Sequence, residues 1–176
     1  MAIFGKALGN GYAITAVIGK KEIMEVADKS FISSTFWTER IGPTAALKTL
    51  EVMEKTQSWK EIKRIGSFIK KGWTNLSKKH NLKIVSQGLN SLPTFKLVTK
   101  NNFDSYNTLI TKKMLEKGFL FKNTVYVSIA HKNNILKKYF KNLDSVFKII
   151  NNIENNFTNN ISNGLKRKIS TFDRLN

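Results

Sequence analysis

Two short apolar runs, residues 1–4 and 13–18, open the chain with almost no polar interruption. Runs of this kind suit buried strands of an α/β core. Gly5, Gly9 and Gly11 lie between them, which predicts a strand, a glycine-rich turn and a second strand. From there the spacing turns helical. Ile23, Met24 and Ala27 predict a short helix over 20–27. Ala45, Ala46, Leu47, Leu50 and Met53 form the stripe of a helix over 43–55, with Pro43 in the first turn, where proline is tolerated.

Thr56-Gln57 breaks that stripe, and Ser58-Trp59-Lys60-Glu61 reads as a capping box opening a helix to about residue 80. Its apolar face carries Ile62, Ile65, Phe68, Ile69, Trp73 and Leu76. The remainder predicts a small α+β unit. Strands are expected at 82–86 and 94–98, and a helix over 103–117 that Gly118 stops. One or two short strands are expected in 119–128. A last helix over 132–155 has Ile135, Leu136, Tyr139, Leu143, Val146, Phe147, Ile150 and Ile153 on one side. The break near 57 suggests domains at 1–57 and 58–155, followed by a basic, Asn-rich tail at 156–176.

Composition changes the picture only in part. A chain of 176 residues that is 41% hydrophobic is long enough for a real core. It holds no cysteine, so a disulfide framework and thiolate metal sites are excluded, which fits a cytoplasmic setting. No apolar run is long enough to span a bilayer, and no signal peptide is evident. The net charge of +18 favours contact with polyanions. The bases are mostly lysine among abundant asparagine, however, a bias that also fills solvated faces. Nucleic-acid binding by a non-catalytic basic module is therefore the secondary reading.

The candidate chemistry sits at the start. Lys6 stands between the two apolar runs, with Gly5 before it and Gly9 and Gly11 after it. A lysine enclosed by apolar walls is penalised as an ammonium, which frees the amine to form a Schiff base. The same residues also read as a strand, a turn and a surface lysine. Further on, Phe31-Ile32-Ser33-Ser34-Thr35-Phe36-Trp37 is rich in hydroxyls and leads into a helix, a setting that suits a phosphate. It equally suits an ordinary loop with capping hydroxyls.

The stretch Gly5-Lys6-Ala7-Leu8-Gly9-Asn10-Gly11-Tyr12, followed by Ala16-Val17-Ile18-Gly19, resembles the lysine motif of the class III aminotransferases. The likeness is nearest to the branch of glutamate-1-semialdehyde 2,1-aminomutase. Ala13 stands where that family often has proline. Met114-Leu115-Glu116-Lys117-Gly118-Phe119-Leu120 and Tyr126-Val127-Ser128-Ile129-Ala130-His131 extend the resemblance, which covers roughly residues 1–153.

The resemblance implies an α/β and α+β fold. A remnant of the pyridoxal-phosphate-dependent transferase large domain would be followed by the C-terminal small domain, a short antiparallel sheet with helices. It implies pyridoxal 5'-phosphate as cofactor, an amino-group donor and acceptor as substrates, and a homodimer. Lys6 would carry the cofactor as an internal aldimine. Thr35, with Ser34 as its neighbour, would bind the phosphate held by the partner subunit. Arg40 would meet a carboxylate or share a helix-start ion pair near Glu39. His131 would line the substrate entrance, or it or a nearby Asn would cap the last helix; His80, by its place at a helix end, reads as structural. In that family the carboxylate for the pyridine nitrogen and the phosphate cup lie upstream of the lysine. Here only five residues precede Lys6 and no acid occurs before Glu22. The chain thus resembles the C-terminal part of such an enzyme, inactive alone, whether as a truncated reading frame, one piece of a split gene that an upstream piece completes, or a fragment.

Overall fold

A computed structural model describes residues 1–33, 35–99 and 103–155. The chain divides into two compact units, Met1–Ser58 and Trp59–Asn176. The predicted tail at 156–176 lies outside the described residues.

In the first unit, β1 (Ala2–Phe4) pairs antiparallel with β2 (Ala16–Ile18) in the register Ala2↔Ile18, Ile3↔Val17 and Phe4↔Ala16. A single 3-10 turn, Lys6–Leu8, lies between them. Helix α1 (Lys21–Met24) runs into a second 3-10 turn at Glu25–Lys29. Helix α2 (Ile41–Thr56) completes the unit, with Pro43 in its first turn as expected.

The strands are where they were expected, but their burial is not. Ile3 is 71% exposed and Ile18 57%. Three-residue strands that, among the described residues, pair only with each other leave both faces of the ribbon uncovered.

Helix α2 ends at Gln57, which takes a left-handed conformation with φ 46°. Helix α3 (Ser58–Lys79) follows at once. The capping box expected at Ser58 is not closed by Glu61. Arg64 takes both carboxylate oxygens of Glu61, at 2.8 and 2.6 Å. An arginine one turn away offers two charged donors, against the single backbone N–H of a box.

The second unit continues with β3 (Lys83–Gln87) and β4 (Thr94–Val98), antiparallel from Lys83↔Val98 to Gln87↔Thr94. Helix α4 (Phe103–Leu115) ends where Gly118 turns left-handed, with Phe119 N–H donating to Met114 O at 2.9 Å. Helix α5 (Asn133–Asn155) closes the unit.

The strands expected within 119–128 are absent. The backbone of that segment forms no ladder with β4 beyond an isolated bridge, Thr94↔Thr124, among the described residues. Val125 N–H reaches Pro93 O and Val127 N–H reaches Ser91 O. Pro93 has no N–H to return, so a regular ladder cannot extend past Thr94.

The core lies between α3, β4, α4 and α5. Trp73, Phe95, Met114, Leu143, Phe147 and Ile150 are fully buried in it. Trp73 and Phe147 both pack against the ring of Phe95, at centroid distances of 4.7 and 6.1 Å. The apolar stripes of α3 and α5 supply most of this set, as their helical spacing predicts.

Candidate cofactor-anchoring site

Lys6 opens the 3-10 turn after β1 and holds φ 48°, a left-handed backbone at a residue that carries a side chain. Such a conformation costs about 1–2 kcal/mol. Local hydrogen bonds fix it. Leu8 N–H donates to Gly5 O and Asn10 N–H to Lys6 O, each at 3.1 Å. The main chain of Lys6 is thus held while its side chain remains exposed. It borders an open depression of about 540 Å³ shared with Ala7, Asn10, Gly11, Tyr12 and Ala13. This is not the apolar enclosure expected from the flanking runs. Among the described residues no carboxylate lines the depression.

One close approach folds the motif on itself and a second seats it on α2. A Cβ at Gly9 would fall 2.1 Å from Tyr12 O, and one at Gly42 would fall 2.6 Å from Ala13 O. Real Cβ atoms do not come that near a backbone oxygen, so both positions require glycine. The turn at Lys6–Leu8 packs against α2, and Gly42 is buried in the first turn of that helix.

Thr35 lies exposed in the turn that precedes α2. Ser34 lies outside the described residues. Glu39 N–H closes this turn by donating to Phe36 O at 2.9 Å. The Glu39 carboxylate then accepts from the backbone N–H groups of Ile41 and Gly42, at 2.5 and 3.1 Å. Glu39 is therefore the cap of α2, a role the sequence reading missed. The usual cap is Ser, Thr, Asp or Asn immediately before the helix, whereas Arg40 holds that place. The helix-start donors expected to be free for a phosphate are thus already engaged, and Thr35 is left as the exposed hydroxyl of the turn.

The two histidines have different settings. His80 Nε2 lies 2.7 Å from Asp144 Oδ1, and Lys79 Nζ donates to Asp144 Oδ2 at 2.7 Å. The Lys79 ammonium, with His80 beside it, holds the Asp144 carboxyl below the usual carboxylate range. This cluster ties α3 to α5, a structural role for His80. His131 does not cap the last helix. Its Nδ1 accepts from Ser128 N–H at 3.0 Å, closing the turn before α5. Among the described residues no helix is long and apolar enough to cross a membrane.

A lysine turn seated on a helix start, followed by a helical unit around a short antiparallel sheet, is a fold shared with solved transaminases. The FumI protein of Sphingopyxis sp. MTA144, solved in its pyridoxal-phosphate internal aldimine form, matches with a TM-score of 0.75 at 21% identity. That match covers 86% of this chain and 37% of FumI. A second transaminase with pyridoxal phosphate bound matches at a TM-score of 0.71 and 17% identity, covering 87% of this chain and 39% of that structure.

The family model for aminotransferase class-III matches residues 1–153, and the chain belongs to that family. The 3-aminobutyryl-CoA aminotransferase of Cloacimonas acidaminovorans is 54% identical over 56 residues, 31% of this chain and 14% of that protein. The glutamate-1-semialdehyde 2,1-aminomutase of Methanosphaera stadtmanae is 27% identical over 155 residues, 78% of this chain and 36% of that enzyme. The chain thus spans between 14% and 39% of the length of these relatives.

Proposed function

We propose that this chain is the lysine-bearing and C-terminal portion of a pyridoxal-phosphate-dependent aminotransferase or aminomutase, with Lys6 as the covalent anchor of the cofactor. The observation that carries the reading is the placement of Lys6. Its backbone is fixed in a strained turn that Gly9 allows to close and Gly42 allows to sit on α2, while its side chain stays open to a depression. The residues present fit an anchor and one phosphate donor. When bound, pyridoxal phosphate supplies the electron sink of its ring. Lys6 Nζ holds the cofactor aldehyde in place. The Thr35 hydroxyl donates to the phosphate across a homodimer interface, because Glu39 already occupies the N–H groups at the start of α2.

Class III membership supports an amino-group donor and acceptor as substrates. The aminomutase relative, aligned over most of this chain, supports the narrower reading of a glutamate-1-semialdehyde aminomutase type. No acid lines the depression around Lys6, so the carboxylate that keeps a pyridine nitrogen protonated comes from outside this set.

The test is an assay of the purified chain with several amino donors and keto acceptors, alone and mixed with a separately expressed complementary portion of a class III enzyme. Turnover that appears only on mixing supports the proposal. Turnover by the chain alone contradicts it. Continued silence, together with salt-dependent binding to nucleic acid, favours the basic-module reading instead.

A further inference from the structure

A cavity of about 470 Å³ lies wholly within the second unit, between α3, the segment after Gly118 and α5. Its volume falls in the range of small-molecule sites. Ile69, Phe121 and Leu136 form its wall and are at most 6% exposed, so the cavity is built from the same residues as the core.

Its polar side chains are Lys122, Thr124, Tyr126, His131 and Tyr139, each of which can donate a hydrogen bond and none of which is an acid. The Nδ1 of His131 is occupied by Ser128 N–H, which leaves the ring proton of the neutral imidazole on Nε2. The Tyr139 hydroxyl accepts from Trp73 Nε1 at 2.9 Å, and its own proton is spent on none of the described residues. Burial pushes the Tyr139 phenol well above its ordinary pKa, so that proton is retained. Lys122 is exposed at the lining and no described residue pairs with its ammonium. The lining contains no carboxylate.

We propose that this cavity binds a small amphipathic monoanion, with its apolar body against Ile69, Phe121 and Leu136 and its carboxylate paired with Lys122. An apolar wall favours the hydrocarbon. A positive charge with donors and no opposing acid selects an anion over a neutral molecule of the same shape. The inference stands independently of the role proposed for Lys6, because all of the lining lies in the second unit.

The experiment is a ¹H–¹⁵N NMR titration of the full chain with octanoate and with octan-1-ol, checked for one-to-one stoichiometry. Saturable shifts are expected at 119–126 and 131–139, with octanoate binding about fivefold more tightly than octan-1-ol, the scale of a solvent-exposed ion pair. Lys122→Gln is a surface change and should bring octanoate down to the affinity of octan-1-ol. Ile135→Trp, at a partly exposed lining position, should block both probes while the amide dispersion stays that of a folded chain. Octanoate shifts spread over lysines away from the cavity, equal affinity for the two probes, or unchanged octanoate binding in Lys122→Gln would each overturn the proposal.

Discussion

The carbonyl oxygen of Ala13 lies only 2.6 Å from where a Cβ on Gly42 would sit. A residue seven places beyond the candidate lysine is therefore pressed onto the first turn of α2, the helix that Glu39 caps and that the turn carrying Thr35 precedes. The lysine motif and the candidate phosphate hydroxyl are parts of one small structure, although almost thirty residues separate them.

Gly42→Ala measures that contact. Alanine favours a helix interior by about 1 kcal/mol over glycine. Overpacking typically costs about 1–3 kcal/mol, and a backbone carbonyl cannot swing aside as a flexible side chain can. The clash should win, with a net loss of up to about 2 kcal/mol in urea unfolding of the first unit. A gain in stability would show that Ala13 yields freely.

Asp144 should make stability depend on pH. Its folded pKa is depressed by Lys79 and His80 relative to an unfolded value of about 3.9. With a lowered folded pKa, the stabilisation is complete above the unfolded value and is lost as pH falls through the folded one. The pair is partly exposed, so the term is about 1 kcal/mol or less. Asp144→Asn should therefore be less stable than the parent chain at pH 7, and the gap should close below about pH 4. A gap that stays constant down to pH 3 would rule this out.

Tyr139→Phe isolates the acceptor of Trp73. The indole is fully buried and donates only to that hydroxyl among the described residues. An unsatisfied buried donor costs about 1–3 kcal/mol. Unfolding monitored by Trp fluorescence should shift accordingly, and Trp73→Phe in the same background should recover part of the loss. An unshifted transition for the single variant would mean that water replaces the hydroxyl.

The parts legible in the sequence are those set by local spacing. The stripes of α3 and α5 follow from apolar residues three and four apart, and β4 falls on its expected residues, 94–98, whereas Leu47 and Leu50 of the stripe expected on α2 are exposed. What failed to read depends on partners distant in the chain. The runs at 1–4 and 13–18 look like core strands because they are apolar, yet no local signal reports that they pair only with each other. The segment 119–128 has strand-like composition, and its fate is decided by Pro93, some thirty residues earlier. Glu39 was hidden because its carboxylate reaches past Arg40 to cap the helix. Lys6 and Thr35 stand out only through resemblance to a family, since spacing alone also allows a surface lysine and an ordinary loop.

In the holoenzyme, whether one long chain or reassembled from two pieces, Thr35→Ala should weaken retention of pyridoxal phosphate by about one to two decades. A hydrogen bond to a charged group contributes about 1.5–3 kcal/mol, and each 1.4 kcal/mol is tenfold. Equilibrium dialysis at several phosphate concentrations measures the change. Unchanged retention would remove Thr35 from the site.

The most direct measurement is borohydride reduction of the same holoenzyme with pyridoxal phosphate, followed by peptide mapping. A stoichiometric phosphopyridoxyl group on Lys6, absent from the Lys6→Ala variant, is the expected result. Stoichiometric labelling of another lysine, or labelling that persists in Lys6→Ala, would contradict the assignment of Lys6 as the anchor.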